Sequence, residues 1–250
     1  MVVTRPAHQA DTLCELIEQQ GGHAIRFPVL EIVEPRDHDT LYSIIDQLAD
    51  YDLAIFISPN AVHRAMNLIS ARGGLPPALA IAAVGRASAK ALAEHGCAAV
   101  IAPQQKFDSE ALLAMAELQQ VLGKRIVIFR GEGGRELLAD TLRSRGAQVD
   151  YAECYRRAKP DIDVNPLLQQ WVRNQVDIII VTSDEGLHNM YELVGELGRQ
   201  WLMKTPLVVV SDRTAALAQQ MGFTQPSIIA TKASDEALLQ AMIDWRNGPQ

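Results

Sequence analysis

The sequence repeats itself at an offset of 125 positions, which is half of its 250 residues. Residues 51–63, YDLAIFISPNAVH, return at residues 176–188 as VDIIIVTSDEGLH. Two later pairs keep nearly the same offset: residues 83–89 with 209–215, and residues 109–113 with 235–239. A repeat unit of this length is the size of a domain and far longer than the unit of a solenoid. The repeat therefore predicts two similar domains that face each other across a cleft, where ligands commonly bind.

Apolar runs of strand length alternate with segments of helical period, a pattern typical of parallel sheets covered by helices. We predict strands at residues 1–4, 24–30, 53–58, 80–84, 98–101, 125–129, 148–154, 178–182, 207–210 and 227–230. We predict helices at residues 8–20, 61–71, 87–95, 109–120, 136–145, 187–197, 213–221 and 234–245. Candidate C′ glycines are Gly22, Gly96, Gly146 and Gly222, and candidate N-caps are Ser109 and Ser234. The expected fold class is α/β.

Two polar stretches that contain proline, residues 34–39 and 158–166, are the best candidates for linkers. Each follows a βαβ unit, and the two units match each other as well. If both stretches cross between domains, residues 36–154 form a continuous domain and the remainder forms a discontinuous one. The other partition is the tandem pair 1–123 and 124–250. Periodicity alone leaves both partitions open.

The composition excludes several classes of protein. An apolar fraction of 48% with 21% charged residues is ordinary for a folded, water-soluble protein. The net charge of −7 argues against nucleic acid, because no basic stripe is present to neutralise phosphates. The apolar runs are too short to span a bilayer, and no signal-peptide pattern follows Met1. Cys14, Cys97 and Cys154 lie far apart, as is typical of reduced thiols. We therefore expect a cytoplasmic protein without nucleic-acid or membrane partners.

Polar residues follow many of the predicted strands, at the position where ligands bind in open α/β sheets. Four arginines each come just after a separate strand: Arg5, Arg86, Arg130 and Arg213. Small and hydroxyl residues fill neighbouring positions: Ser58, Asn60, Ala61, Gly85, Ser88, Gly131, Ser183, Gly186, Ser211 and Thr214. Together with helix-start amides, these groups suit a ligand with several carboxylates or phosphates. The alternative is that the hydroxyls only cap helices and the arginines only pair with nearby acids.

Motifs for metals, nucleotides and activated nucleophiles are missing. Residues 131–134 are Gly-Glu-Gly-Gly, but Glu136 stands where a dinucleotide fingerprint needs its third glycine, and no P-loop lysine follows. The six histidines have no metal-ligand spacing, and neither Cys-x-x-Cys nor Gly-x-Ser-x-Gly is present. We expect no metal and no cofactor. The glycines instead favour a tight turn and close approach of the backbone to a ligand.

Tyr155 lies where a predicted strand runs into the second linker, within Glu-Cys-Tyr-Arg-Arg at residues 153–157. A phenol at this point can donate a proton or a hydrogen bond to a leaving oxygen. An amphipathic side chain at the same point can instead simply pack the linker. The sequence leaves both roles open.

Six short segments stand in order along the chain: VTRP at residues 3–6, FP at 27–28, FISPNAV at 56–62, AVG at 83–85, ECYRR at 153–157 and VTS at 181–183. Together with the chain length and the duplication, they resemble the uroporphyrinogen-III synthase family. The resemblance implies two flavodoxin-like α/β domains with parallel, three-layer sheets, joined by linker strands near residues 31–38 and 152–166. It also selects the discontinuous partition, with residues 1–34 and 158–250 in one domain and residues 36–154 in the other.

The resemblance further implies a reaction in which linear hydroxymethylbilane loses water and is cyclised to uroporphyrinogen III, with inversion of ring D and without a cofactor. The substrate carries eight carboxylates, in agreement with the anionic ligand predicted above. Closure without the enzyme gives the non-inverted isomer, so catalysis would act mainly by positioning. Tyr155 becomes the candidate to assist departure of the hydroxyl. Substrate would bind at helix starts through Ser58, Ser88, Ser183 and Thr214.

One position fits an anionic ligand poorly, because Glu185 stands where the first repeat has Asn60. Two alternative functions remain. A small two-domain glycosyltransferase would use a similar cleft, although 250 residues is short for one and no nucleotide-sugar motif is present. A non-catalytic two-domain sensor would bind without turnover and would need an effector segment, for which the chain has no room. The lack of a long exposed amphipathic segment favours a monomer.

Overall fold

The computed structural model describes residues 1–248 and divides them into two compact units. The first unit combines Met1–Glu31 with the residues from Ala158 onward, and the second unit is Ile32–Arg157. Each unit contains one five-stranded sheet. The chain therefore starts in the first unit, builds the whole of the second and then returns to complete the first.

The strands of the described residues largely follow the predicted pattern. In chain order they are β1 (Val2–Val3), β2 (Ile25–Arg26), β3 (Glu31–Val33), β4 (Leu53–Phe56), β5 (Ala80–Ala83), β6 (Arg125–Gly131), β7 (Gln148–Ala158), β8 (Ile179–Ile180), β9 (Leu207–Val209) and β10 (Ile228–Ile229). The predicted strand at residues 98–101 is wrong, because only Ile101 pairs, in an isolated parallel bridge to Ala82. Ala98 and Ala99 are exposed and have weak strand propensity. The sequence also misses β3, which is short and adjoins a polar stretch.

The helices include three that the sequence pattern does not predict. In chain order the helices are α1 (Asp11–Gln19), α2 (His38–Asp46), α3 (Pro59–Ala71), α4 (Arg86–Glu94), α5 (Ser109–Leu113), α6 (Ala116–Gln119), α7 (Leu137–Ser144), α8 (Asn165–Val172), α9 (Asp184–Leu193), α10 (Gly195–Leu202), α11 (Asp212–Gln220) and α12 (Asp235–Asn247). The unpredicted helices are α2, α8 and α10. Of these, α2 and α8 begin inside the stretches interpreted as linkers. The residues at the start of each helix are polar or proline and resemble a linker, and the first buried residues, Leu41 and Leu167, come only after them.

Two of the predicted helix-end residues require correction. Ser234 caps α12 as predicted, but α5 is capped by Asp108, whose side chain accepts from the Ala111 amide at 2.8 Å, so Ser109 is the first residue of that helix. At the end of α1 the positive φ, 74°, belongs to Gly21 and not to Gly22. Gly22 has a different constraint, because a Cβ there would lie 2.8 Å from the Ile17 side chain.

The two sheets have matching strand orders. The first unit has the order β10-β9-β8-β1-β2 with parallel pairing throughout, which within that unit is the flavodoxin order 2-1-3-4-5. The second has the order β3-β7-β6-β4-β5, with parallel pairing from β7 to β5. In this comparison β4 occupies the position of β8, β5 that of β9, β6 that of β1 and β7 that of β2. The isolated bridge at Ile101, beside β5, takes the place of β10, and β3 has no counterpart. Each repeat therefore gives its first βαβ unit to one sheet and its later strands to the other.

Apolar side chains cover both faces of each sheet. In β6, Phe129 belongs to one core cluster and Ile128 to another, as the two-residue period of a strand requires. In the first unit Ile179 and Ile180 divide between two clusters in the same way. The sheet thus lies between two helical layers in each unit, which confirms the predicted α/β class. At the centre of the second unit, Phe56 and Phe129 stack with ring centroids 4.7 Å apart.

Replacement of Phe129 by alanine should destabilise the second unit strongly. The side chain is fully buried, so its loss removes apolar contacts and leaves a cavity, at a cost of about 3–5 kcal/mol. Leu122→Ala in the same unit is the control, because Leu122 is 84% exposed and its truncation should change the free energy of unfolding by less than about 0.5 kcal/mol. Urea denaturation followed by circular dichroism measures both, and equal losses in the two variants would contradict the assigned core.

Candidate active site

A cavity of about 260 Å³ opens at the carboxyl ends of the strands of the second unit. The glycine-rich loop at residues 130–135 forms much of its polar wall, and Tyr151, Tyr155 and Arg157 of β7 form another side. The cavity also reaches Ile57 and Val84, just beyond β4 and β5. In doubly wound sheets this edge is the usual ligand site, next to the central strands where the connections change direction.

Tyr155 and Ser58 form a hydrogen-bonded pair in this unit. Tyr155 lines the cavity although only 2% of its surface is exposed. Its hydroxyl lies 3.1 Å from Ser58 Oγ. Ser58 is also the N-cap of α3, where its Oγ accepts from the Ala61 amide at 3.2 Å, and Asn60 and Ala61 form the first turn with Pro59. The helix cap therefore fixes the hydroxyl that faces the phenol.

Gly131 allows the backbone to pass directly against the Tyr155 ring. A Cβ on Gly131 would lie 2.7 Å from Cε2 and Cζ of Tyr155, closer than real Cβ atoms approach. The register of β6 and β7 shifts after Arg130, so that Gly131 pairs with Tyr155 itself. The amide of Glu132 then donates to the Tyr155 carbonyl at 2.8 Å. The start of the loop thus holds both the ring and the backbone of Tyr155.

Arg130 contacts its own loop and not open solvent. The residue is 2% exposed, and its Nε donates to the Gly131 carbonyl at 3.2 Å. Its Nη2 donates to the Gly133 carbonyl, and its Nη1 donates to Glu136 Oε1 at 3.1 Å. The guanidinium also lies over the Tyr151 ring, 4.4 Å from the centroid. These partners differ from the anionic ligand that the sequence predicts for Arg130.

Glu136 connects the loop to Tyr151 on β7. The Tyr151 hydroxyl donates to Glu136 Oε2. Burial, reinforced by this hydrogen bond to a carboxylate, raises the pKa of Tyr151 to about 12. The hydrogen bond from Tyr151, together with that from Arg130, lowers the pKa of Glu136. At neutral pH the phenol therefore stays protonated and the carboxylate stays charged, which preserves both of its hydrogen bonds.

The predicted residues at the start of α4 lie outside the cavity wall. Gly85 occupies the N-cap position without a side-chain cap. Arg86 is exposed, and its guanidinium lies over the Phe107 ring, 4.8 Å from the centroid. Ser88 is 2% exposed and packs inside the unit. Of these three, Arg86 is the one whose side chain is accessible to a ligand.

In the first unit the predicted hydroxyl residues cap helices. Ser183 Oγ accepts from the Gly186 amide at 3.0 Å, and Ser211 Oγ accepts from the Thr214 amide at 3.2 Å. Thr214 is 1% exposed, and its hydroxyl donates to Asp184 Oδ1 at 2.7 Å. The capping alternative therefore describes the contacts of Ser183 and Ser211, whereas the Thr214 hydroxyl binds a carboxylate of the same unit.

The arginines of the first unit pair with carboxylates. Arg5 forms an ion pair with Asp235, and Arg213 forms one with Asp184, with Nε 2.9 Å from Oδ2. Asp184 is a residue that sequence reasoning missed, although the repeat aligns it with Pro59 and so marks a change of chemistry between the two copies.

The structure brings together only part of the predicted set. Arg130, Gly131 and Tyr155 line the cavity of the second unit, and Ser58 is connected to it through its hydrogen bond with Tyr155. The cavity wall also contains three residues that the sequence pattern did not mark as ligand contacts: Arg135, Arg157 and Tyr151. Arg157 stands in the same five-residue segment as Tyr155, and Arg135 closes the glycine-rich loop, so both carried a usable signal. Tyr151 carried none, because its place in a strand is typical of packing.

Among residues 1–248, no three His, Cys, Asp or Glu side chains are grouped as they would be to hold a metal ion. In that part of the chain, no helix has both the length and the apolar character needed to cross a membrane.

Comparison with known proteins gives one consistent result. Residues 11–240 match the family model for uroporphyrinogen-III synthase HemD. A uroporphyrinogen-III synthase of Salmonella typhimurium is 36% identical over 244 residues, covering 97% of this chain and 99% of that protein. A uroporphyrinogen-III synthase of Escherichia coli K12 is 35% identical with the same coverage. The sequence match therefore extends over nearly the whole chain.

Solved structures show the same fold at lower identity. A uroporphyrinogen III synthase from Thermus thermophilus matches with a TM-score of 0.60 and 20% identity, covering 97% of this chain and 96% of that one. A uroporphyrinogen-III synthetase from Helicobacter pylori matches with a TM-score of 0.58 and 18% identity, covering 97% of each chain. With the family model and the near full-length relatives, these likenesses confirm the sequence resemblance, and the chain belongs to the uroporphyrinogen-III synthase family.

Proposed function

We propose that this protein converts hydroxymethylbilane into uroporphyrinogen III, with loss of water, closure of the macrocycle and inversion of ring D. The observation that carries the proposal is the 36% identity to the uroporphyrinogen-III synthase of Salmonella typhimurium over 97% of this chain. The cavity adds support, because a buried phenol lies there between a serine hydroxyl and a glycine-rich loop. The comparisons support neither of the sequence-based alternatives, a small glycosyltransferase or a non-catalytic sensor.

We assign Tyr155 to the loss of the hydroxyl group. The electron pair of the terminal pyrrole nitrogen expels the hydroxyl and forms an azafulvene, while the phenol of Tyr155 donates the proton with which the hydroxyl leaves as water. The proton that the substrate releases when its rings regain aromaticity can return to the phenolate. Ser58 Oγ, 3.1 Å from the phenol oxygen, can stabilise the phenolate by donating a hydrogen bond in the interval.

Isomer selectivity has a different physical origin from the loss of water. The azafulvene closes without help to the non-inverted isomer, so the enzyme must favour attack through the substituted carbon of ring D. Such a preference comes from holding the chain in one geometry and excluding another. A rigid wall around the reacting ring serves this purpose better than a strong acid does.

We propose that exposed arginines bind the substrate carboxylates. Arg135 and Arg157 line the cavity and are exposed, and Arg86 is exposed at the start of α4. Arg5 and Arg213 would have to exchange a carboxylate of the protein for one of the substrate. The remaining predicted contacts, at Ser183, Gly186, Ser211 and Thr214 in the first unit and at Asn60, Ala61, Gly85 and Ser88 in the second, are proposed to act at helix starts through the backbone.

We further propose that the protein acts in the cytoplasm as a monomer without nucleic-acid partners. The net charge of −7 supports the absence of a nucleic-acid partner. Cys14, Cys97 and Cys154 are free thiols, as is usual in a reducing compartment. Light scattering after gel filtration should give a mass near 27.4 kDa, and a mass of twice that value would contradict the monomer.

The reaction itself is tested by product analysis. Hydroxymethylbilane generated enzymatically and incubated with this protein should give mainly the type III isomer after oxidation, whereas the same mixture without the protein should give type I. Chromatography of the two isomers measures the outcome. If this protein gives only the type I isomer while an active control enzyme gives type III in the same assay, the proposed function is wrong.

Tyr155→Phe should lower kcat by about 10- to 100-fold, at or below the lower end of the range for general acid catalysis, because the hydroxyl also leaves unaided. The matched control is Tyr51→Phe, since Tyr51 is 6% exposed and its hydroxyl lies 2.9 Å from Asp150 Oδ2, outside the cavity wall. Loss of that bond should cost about 1–3 kcal/mol of stability and leave kcat unchanged. Full turnover by Tyr155→Phe would remove Tyr155 as the acid.

A further inference from the structure

The part of the glycine-rich loop that follows Arg130, together with Glu136, is called the glycine loop from here on (residues 131–136). It is held by the buried charge of Arg130. Three nitrogens of Arg130 reach into it: Nε to the Gly131 carbonyl, Nη2 to the Gly133 carbonyl and Nη1 to the Glu136 carboxylate. The Arg130 side chain is 3% exposed, whereas Glu136 is 52% exposed. A guanidinium ion withdrawn from water in this way is tolerated only where its donors are satisfied, so the loop conformation and the buried charge stabilise each other.

The backbone of the glycine loop has the shape that these contacts need. Gly133 and Gly134 have φ values of 70° and 114°, which residues other than glycine rarely adopt. A Cβ on Gly134 would lie 2.8 Å from Nη2 of Arg130. Below the guanidinium, the Tyr151 ring supplies a flat surface 4.4 Å away. Arg130 is thus enclosed by its loop on one side and by β7 on the other.

The glycine loop also contacts Tyr155. Gly131 lies against the ring so closely that no Cβ fits, and the Glu132 amide donates to the Tyr155 carbonyl at 2.8 Å. A shift of Gly131 would therefore move the phenol away from Ser58 or open space behind the ring. The same loop presents exposed Arg135 to the cavity. One buried guanidinium therefore holds the segment that contacts the acid and carries an arginine of the wall.

We propose that Arg130 is a positioning residue that holds the glycine loop against Tyr155, and that this contact sets the ratio of type III to type I product. Arg130 itself binds no substrate carboxylate, because its donors are directed at the protein. This proposal rests on the proposed function and deepens it by separating one arginine that shapes the site from another, Arg135, that faces the ligand.

The test compares Arg130→Lys with a matched control, Arg143→Gln. Lysine keeps the charge, but its three donors lie on a single nitrogen, which cannot reach the Gly131, Gly133 and Glu136 acceptors as the three separate nitrogens of Arg130 do. Arg143 also lies over the Tyr151 ring, 5.4 Å from the centroid, but its side chain is 44% exposed and it donates to the Val149 carbonyl on β7, so it shares the ring with Arg130 without holding the glycine loop. Single-turnover reactions with enzyme in excess measure the isomer ratio, and steady-state assays measure kcat and KM.

We expect Arg130→Lys to lower kcat by about 10- to 100-fold, as a displacement of about 1 Å at a reacting site does, and to increase the type I fraction severalfold. The KM of this variant should stay within about threefold of the parent value, because Arg130 does not bind the substrate. Replacement of a residue that does bind the substrate would raise KM. Arg143→Gln should match the parent in kcat and isomer ratio. Arg135→Gln should raise KM more than it lowers kcat.

Gly134→Ala approaches the same contact from the loop side and keeps the test valid if Arg130→Lys does not fold. It should reproduce the shift in isomer ratio, with its folded state checked by circular dichroism. A type III fraction equal to that of the parent in both folded variants would overturn the proposal. So would a tenfold rise in KM for Arg130→Lys at unchanged kcat, which would make Arg130 a ligand. If the parent protein makes only type I, the proposed function fails instead.

Discussion

The pairing of β4 with β6 and of β1 with β8 is the constraint on which the rest of the structure depends. Each pair joins a strand from one half of the chain to a strand from the other, in parallel and at the centre of its sheet. Parallel neighbours cannot be joined by a hairpin and need a crossover, which here comprises residues 57–124 between β4 and β6 and residues 4–178 between β1 and β8. The first βαβ unit of each repeat therefore lies in a sheet with the later strands of the other repeat. The stacked Phe56 and Phe129 rings mark this junction in the second unit.

The two copies of the repeat have diverged at the helix start that follows the corresponding strands. After β4 the helix begins with Pro59, and Ser58 faces a phenol. After β8 the helix begins with Asp184, whose carboxylate accepts a hydrogen bond from the Thr214 hydroxyl and forms an ion pair with Arg213. The first unit thus provides its own negative charge at this point. The Thr214 hydroxyl and the Arg213 guanidinium offset the charge that Asp184 places at this helix start.

The second unit uses charge in a different way. Arg130 directs its hydrogen bonds to shaping the loop, while Arg135, five residues later, is exposed in the cavity wall. Positioning by a buried ion suits a reaction in which the uncatalysed alternative is fast and only the geometry distinguishes the products. Tyr151 and Glu136 complete this arrangement, since their hydrogen bond orients the carboxylate that pairs with the guanidinium.

The sequence by itself determined the α/β class, nine of the ten described strands and the correspondence between the two halves, because apolar period and repeat offset are properties of the chain alone. It also identified Tyr155 and the glycine-rich segment as chemically unusual. It did not reveal that Arg130 is buried, that Tyr151 lies beneath it, or that Asp184 occupies a helix start. Only the tertiary structure decided these points, because burial and hydrogen bonding depend on how the chain folds back on itself. Arg130 is enclosed by the loop that follows it and by the neighbouring strand β7, and Ser58 reaches Tyr155 from the other half of the chain.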